Sequence, residues 1–301
     1  MQEGKLKGKL KMTVRKPAVA GQFYGATAQE CLEEIQQCMP KEPLSVDLPG
    51  PVIAGIVPHA GWIYSGGVAA MAFEAVRQSH PDVDTFVLLG AAHRYMNSGP
   101  AVYDRGAWET PLGLAAIDEA LASELVDLGA RGDRDAHRDE HSIEVQVPFI
   151  QHLFPNAKIV PVMVPVAGFD SHFGTRLGRL LAKLKDKRVV CIASTDLTHY
   201  GPRYGFCPEG VGPAALQWAR EVNDQAFIDV AIKMDAEALV EAALHMGNAC
   251  GPSAAATAIA AAHAMGRDKG VLLAHTTSND ILMERFGQSS DESVGYAAIV
   301  Y

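Results

Sequence analysis

The chain has 301 residues, of which 48% are hydrophobic and 20% are charged. This composition is typical of a globular protein and excludes disordered, collagen-like and coiled-coil classes for the bulk of the chain. The 26 lysines and arginines against 35 acidic residues give a net charge of −9, which argues against a general nucleic-acid or anionic-membrane surface. Five scattered cysteines without a CxxC pair favour neither a disulfide framework nor a zinc ribbon.

The N-terminal residues 1–13 are basic, and no apolar stretch of signal-peptide length follows them. We expect residues 1–13 to be a mobile arm and residues 14–301 to form one α/β domain, because no repeat or low-complexity linker divides the chain. The longest apolar run, 254–265, is far shorter than the roughly 20 residues that a membrane-spanning helix needs. A cytoplasmic protein is the expectation.

Short apolar strands alternate with helical stretches along the chain. The sequence predicts strands at 52–57, 85–90, 158–164, 188–194, 271–274 and 293–301. It predicts helices at 26–38, 67–77, 117–128, 142–154, 171–184, 214–234, 236–246 and 253–265. Pro148 is predicted to kink the helix at 142–154. Because the strands lack clean polar alternation, they indicate a three-layer α/β sandwich, with a largely parallel or mixed central sheet flanked by helices.

Polar side chains follow three of the predicted strands directly. His59 comes after the first strand, His93 after the second, and Asp196 and His199 after the strand at 188–194. A single histidine at a strand end is more often structural. In open α/β sheets, however, ligands bind outside the carboxyl ends of the strands. We therefore expect these four side chains to meet at one edge of the sheet.

Cys250 lies in a glycine-containing turn before the helix at 253–265, for which Ser253 is the predicted N-cap. A helix N-terminus favours a thiolate, the form that binds a metal or attacks an electrophile. The alternative is a small buried thiol packed in the turn. The sequence has no GxSxG, GxxxxGK(S/T), GxGxxG or HExxH motif, so serine hydrolases, P-loop NTPases and zincins lose their usual support.

Residues 138–144 are dense in titratable groups. Two interpretations stay open for Glu140 and His141. They support the metal or catalytic site from outside, or this segment serves only to cap the predicted helix at 142–154, through Asp139 or Ser142.

Six motifs in order resemble the Memo family, whose prokaryotic members are called AmmeMemoRadiSam system protein B. They are KPAVAGQFY at 16–24, PHAGWIYSG at 58–66, LGAAH at 89–93, DEHSIE at 139–144, STDLTHYG at 194–201 and NACG at 248–251. The resemblance runs from about residue 14 to the C-terminus. It implies a fold like that of class III extradiol dioxygenases, which are non-haem iron enzymes that open catechol rings with O₂.

By this resemblance, His59 and His93 match two metal ligands and Cys250 takes the position of the third. His199 matches the catalytic acid/base, and Asp196 lines the same pocket. A thiolate in place of the dioxygenases' carboxylate shifts the preference toward copper(I), zinc or a differently poised iron. Among these, the resemblance favours iron or copper over zinc. The family name also implies a radical-SAM enzyme and an AMMECR1-like protein as partners.

Three functions follow as hypotheses. The leading one is metal-dependent redox or dioxygenase-type chemistry on a small, aromatic or O₂-derived ligand, with His199, oriented by Asp196, moving the proton. The second is a metal-free cysteine enzyme in which Cys250 is the nucleophile and His199 or His59 the base. The third is a binding or scaffold protein that uses the same pocket for a peptide or partner.

Overall fold

A computed structural model describes residues 12–48, 50–94, 98–168 and 170–301. The predicted N-terminal arm therefore lies outside the described residues, apart from residues 12 and 13. The strands are β1 Val14–Arg15, β2 Ala54–Val57, β3 Thr85–Ala91, β4 Ala101–Val102, β5 Ala107–Thr110, β6 Gly113–Ala116, β7 Arg131–Gly132, β8 Lys158–Val164, β9 Val189–Ser194, β10 His199–Tyr200, β11 Val271–Thr277 and β12 Ser293–Val300. The helices are α1 Ala28–Cys38, α2 Trp62–Ser79, α3 Glu119–Asp127, α4 Val147–Leu153, α5 Ser171–Leu181, α6 Pro213–Trp218, α7 Gln225–Lys233, α8 Ala236–Met246, α9 Pro252–Ala264 and α10 Ser278–Phe286.

The central sheet is mixed and has the strand order β10-β12-β2-β9-β3-β8-β4-β7, with β11 paired to β12. Strands β2, β9, β3 and β8 run parallel to one another, whereas β12 is antiparallel to β2 and β4 is antiparallel to β8. A smaller sheet joins β1, β5 and β6. The four parallel strands form the middle of the large sheet, so their carboxyl ends lie side by side.

Helices flank this sheet. Helix α2 packs on β2, β11 and β12 and contacts α1 and α4, while α9 packs on β2, β3 and β9 and contacts α5, α7 and α8. Every residue of β2, β3, β9 and β12 is buried. This explains why these strands lack polar alternation, and the predicted α/β architecture is confirmed. Among the described residues, no helix is both long and apolar enough to cross a membrane.

Several element boundaries differ from the predictions. Helix α2 begins at Trp62, five residues earlier than predicted. The predicted kink at Pro148 is wrong, because Pro148 lies in the first turn of α4, where its missing N–H costs no helical hydrogen bond. The predicted helix at 214–234 is divided by a π-helical stretch at Ala219–Asp224. Helix α10 and the short strands β1, β4, β5, β6, β7 and β10 were not predicted.

Helices α5 and α9 approach closely because α5 carries glycines at the contact. A Cβ on Gly178 would lie 2.2 Å from the carbonyl oxygen of Ala261. We predict that Gly178→Ala lowers the free energy of unfolding by about 1–3 kcal/mol, because the helices must separate to accept the methyl group. Urea unfolding measures this. The matched control is Gly67→Ala in α2, where the nearest atom is 3.8 Å away and no loss is expected. Equal stability of the two variants would contradict the close-packing argument.

Candidate metal centre

The carboxyl ends of three adjacent parallel strands supply the site. His59 follows β2, His93 follows β3, and the 195–199 segment follows β9. In the register of these strands, Val57 pairs with Ser194, and Leu89 pairs with Ala193. This places the three loops at one edge of the sheet, as the strand-end argument predicts.

A third histidine completes a compact cluster at this edge. His141 reaches it from the loop between two short 3-10 turns. The ring centroids are 5.1 Å apart for His59 and His93, 5.3 Å for His59 and His141, and 5.2 Å for His93 and His141. One ring nitrogen from each histidine lies within 4.8 Å of the other two, so this cluster could hold a metal ion. His141 was predicted at most to support the site from outside, but its ring lies in the same cluster as those of His59 and His93.

The outer nitrogen of each ring is already occupied. Nδ1 of His59 lies 2.8 Å from the Ser194 hydroxyl. Nδ1 of His93 lies 3.1 Å and Nδ1 of His141 lies 3.3 Å from the same carboxylate oxygen of Glu140. Such contacts fix ring orientation in metal sites and leave Nε2 of each ring for the ion. The residues present therefore fit a transition-metal ion.

Glu140 organises the outer side of the cluster. Besides His93 Nδ1, its carboxylate accepts the backbone N–H groups of His93, His141 and Ser142 at 2.9, 3.0 and 3.0 Å. Burial raises the pKa of Glu140, but the contacts with His93 and these backbone groups outweigh it and lower the pKa to about 2. The buried carboxylate is thus held as an anion, which favours a cation on the inner side of the rings. Helix α4 begins at Val147 without a side-chain cap, so neither Asp139 nor Ser142 caps it.

The thiol of Cys250 lies beside the histidines. Its Sγ is 3.2 Å from Nε2 of His59 and accepts the backbone N–H of Asp196 at 3.3 Å. Burial lowers the pKa of His93, but the hydrogen bonds that His93 makes with Cys250 and Glu140 raise it by more, to about 10. The electrostatics at this ring therefore favour a positive charge, which an ion would supply in place of the proton.

The prediction that Ser253 caps the helix after Cys250 is wrong. Helix α9 begins at Pro252 with Gly251 as its N-cap, because the fixed φ of proline suits the first helical position. The Ser253 hydroxyl instead donates to the carbonyl of Val166 at 2.8 Å. Cys250 still comes directly before the helix start, and its loop is tied to the 195–196 segment through Thr195, whose hydroxyl accepts the N–H of Gly251 at 2.8 Å.

Asp196 and His199 lie in the same cleft but do not hydrogen-bond to each other within the described part of the chain. The Asp196 carboxylate accepts the backbone N–H of His59 at 2.6 Å, and burial raises its pKa. Nδ1 of His199 lies 3.1 Å from the carbonyl of Leu197. Because a carbonyl only accepts, this contact requires a proton on Nδ1, and in the neutral imidazole it therefore leaves the lone pair on Nε2. Leu197 rather than Asp196 therefore orients His199.

The cluster opens into a cleft of ≈ 630 Å³. The predicted residues His59, His93, Asp196, His199 and Cys250 all line it, and His141 does too. The rest of the wall combines apolar and aromatic side chains with a few polar ones, among them Phe23, Tyr64, Arg203, Tyr204, Leu282, Glu292 and Tyr296. A cleft of this volume is large enough for a small-molecule ligand.

A buried amide network that the sequence analysis missed holds the loops of His199 and Cys250 together. Asn223 donates to the hydroxyl of Thr198 at 3.0 Å, and Asn248 donates to the carbonyl of Asn223 at 2.9 Å. Asp224 accepts the N–H of Thr198 at 2.9 Å. Both Asn223 and Asp224 lie in the π-helical stretch, a feature frequent at functional sites. No sequence pattern distinguishes that stretch from an ordinary helix.

Comparison with known proteins identifies relatives of this chain. The family model for Memo-like proteins matches residues 15–300. A MEMO1 family protein of Pyrococcus abyssi is 36% identical over 299 residues, covering 95% of this chain and 99% of the relative. Another from Methanopyrus kandleri is 36% identical over 302 residues, covering 95% and 98%. The crystal structure of an uncharacterized protein from Escherichia coli K12 has 16% identity and a TM-score of 0.46, covering 81% of this chain and 99% of that one. By the first three matches, the chain belongs to the Memo-like protein family.

Proposed function

We propose that this protein is a transition-metal protein that carries out redox chemistry, of the dioxygenase type, on a small aromatic substrate bound in the cleft. The observation that carries this proposal is that one ring nitrogen from each of the three histidines lies within 4.8 Å of the other two, with the Cys250 thiol 3.2 Å from Nε2 of His59. His59, His93 and Cys250 would hold the ion, and His141 offers a further nitrogen.

The donor set supports iron or copper. Imidazole nitrogens suit iron, copper and zinc alike, and a thiolate adds a soft ligand that copper(I), zinc and iron all accept. Of these ions, iron and copper are the ones that supply the proposed redox chemistry. The cleft leaves room beside the ring nitrogens, which a catalytic centre needs for its substrate. A redox-active ion bound there would supply electron exchange with the substrate or with O₂.

The protein's own groups would handle the proton and the position of the substrate. Nε2 of His199 carries a lone pair and would accept a proton from an acidic hydroxyl of the substrate. The Asp196 carboxylate accepts the backbone N–H of His59 and so would keep that ligand in place. Tyr64, Tyr204 and Phe23 would enclose an aromatic ring.

One observation favours a metal-free cysteine enzyme as the second candidate. The 3.2 Å contact between the Cys250 thiol and His59 resembles a nucleophile paired with its base. Burial, however, lowers the pKa of His59 well below its usual value, so this imidazole is a poor base for a thiol. The metal proposal uses a neutral His59 directly as a ligand, which is the form that burial favours.

Cobalt substitution tests the proposed ligation. We expect Co²⁺-loaded protein to show a sulfur-to-metal charge-transfer band in the near ultraviolet. Cys250→Ser should lose this band and keep the visible ligand-field bands from the histidines. The matched control is Cys207→Ser, a partly exposed thiol that is not among the lining residues of the cleft. An unchanged band in the Cys250 variant would rule out thiolate ligation. Selective alkylation of Cys250 in metal-free protein would instead favour the cysteine enzyme.

A further inference from the structure

Arg203 has no role in the site described so far. It lies in a tight turn that follows β10, the strand that begins with His199. The turn is closed by Gly201 and Gly205, whose φ values of 128° and 67° favour glycine. Its position is fixed further because the backbone N–H of Arg203 donates to the carboxylate of Glu292 at 3.0 Å.

The same turn also contacts His199. The ring of Tyr204 meets that of His199 edge-on, with centroids 5.2 Å apart. The backbone of the turn therefore has a defined position relative to His199, and the exposed Arg203 side chain extends from it. The Arg203 and Tyr204 side chains both line the cleft.

The guanidinium of Arg203 makes no salt bridge within the described residues. Within the described residues, no carboxylate oxygen lies within 4.0 Å of its guanidinium nitrogens, although many other arginines are paired in this way. Among the described residues that line the cleft, Arg203 is the one lysine or arginine. The two acidic residues of the lining each accept a backbone N–H rather than the Arg203 guanidinium: Asp196 that of His59, and Glu292 that of Arg203 itself.

We propose that Arg203 selects ligands carrying an oxyanion, so that the substrate is a small planar organic acid. The carboxylate or phosphate of this substrate would pair with the Arg203 guanidinium, which presents two parallel donors suited to such groups. Its ring would lie among Tyr64, Tyr204 and Phe23. The inference that the ligand reacts at the end opposite its oxyanion rests on the proposed function. Recognition of the oxyanion by Arg203 does not.

Calorimetric titration with three ring probes tests this inference. Benzoate and phenyl phosphate carry the oxyanion, and benzamide is the neutral counterpart of benzoate. Metal-free protein should bind at least one of the two anions about tenfold or more tightly than benzamide, as expected for a hydrogen-bonded charge pair. Arg203→Gln should abolish the preference, and Arg203→Lys should keep part of it. Arg285→Gln is the control, because Arg285 lines a neighbouring cleft.

Each outcome separates this inference from the metal proposal. A preference that survives in Arg203→Gln, or equal binding of the three probes by the wild type, would overturn it. So would a preference that appears only after metal loading, because the anion would then bind the ion rather than Arg203. Failure of both benzoate and phenyl phosphate to bind the wild type would overturn it as well. If the protein binds no metal, the metal-free titration still decides the role of Arg203.

Discussion

Glu144→Ala should reduce the free energy of unfolding by about 3–5 kcal/mol, the range for removing one partner of a buried ion pair. The Glu144 side chain is 0% exposed. Its carboxylate accepts from Arg15 at 2.6 Å, from the backbone N–H groups of Ala18 and Val19 at 2.7 and 2.9 Å, and from the hydroxyl of Tyr24 at 3.0 Å. The substitution would leave these four donors buried without their acceptor.

The loss would reach the metal centre through Arg15. This guanidinium also donates to the backbone carbonyls of His137 and Glu140, both at 2.7 Å, and lies 4.2 Å from the ring of Trp108. It therefore connects the N-terminal segment to the loop that carries Glu140 and His141.

Equilibrium urea unfolding measures the effect of this substitution. Glu109→Ala, which breaks a surface ion pair with Lys16, should cost no more than about 1 kcal/mol. A Glu144 variant as stable as the Glu109 variant would contradict the assigned role of the buried pair.

Glu140→Gln should lower the affinity for the metal by about 10–100-fold, the usual cost of losing an outer partner of a ligating histidine. The substitution keeps the shape of the side chain but removes the negative charge that two of the rings share. It also replaces one acceptor oxygen with an NH₂ group, which repels the N–H donors of the loop.

Competition with a chelator of known affinity measures this change. Glu74→Gln is the control, because Glu74 is a largely buried carboxylate that pairs with Arg77 in α2. Circular dichroism should show both variants folded. Equal metal affinity in the Glu140 variant and the wild type would mean that the carboxylate does not support the centre.

The sequence contains enough to predict the frame of the site. Buried strands directly precede four of the site residues, His59, His93, Asp196 and His199. Parallel strands bring their carboxyl ends to one edge of the sheet regardless of the conformation of the loops. Cys250 was predicted from its position before a helix and from the resemblance to the Memo family. These predictions depend on local sequence patterns. They hold even where the predicted ends of the strands and helices are wrong by a few residues.

The position of His141 could not be predicted in the same way. It depends on Arg15 and Glu144, which are 129 positions apart and meet only in the folded chain. The hydrogen-bond partner of His199 could not be predicted from the sequence either, because the choice between Asp196 and the carbonyl of Leu197 depends on the orientation of the ring. The π-helical stretch that carries Asn223 has the composition of an ordinary helix, so only the structure reveals it.

The metal content of the purified protein decides whether the histidine cluster holds an ion. We would purify the protein without a tag under anaerobic conditions and analyse it by inductively coupled plasma mass spectrometry. We expect near-stoichiometric iron or copper in the wild type and in His263→Ala, whose histidine is exposed at the end of α9. His93→Ala should lose it. Equal metal in His93→Ala, or no metal in the wild type after reconstitution with iron(II) and copper(I), would contradict the metal centre.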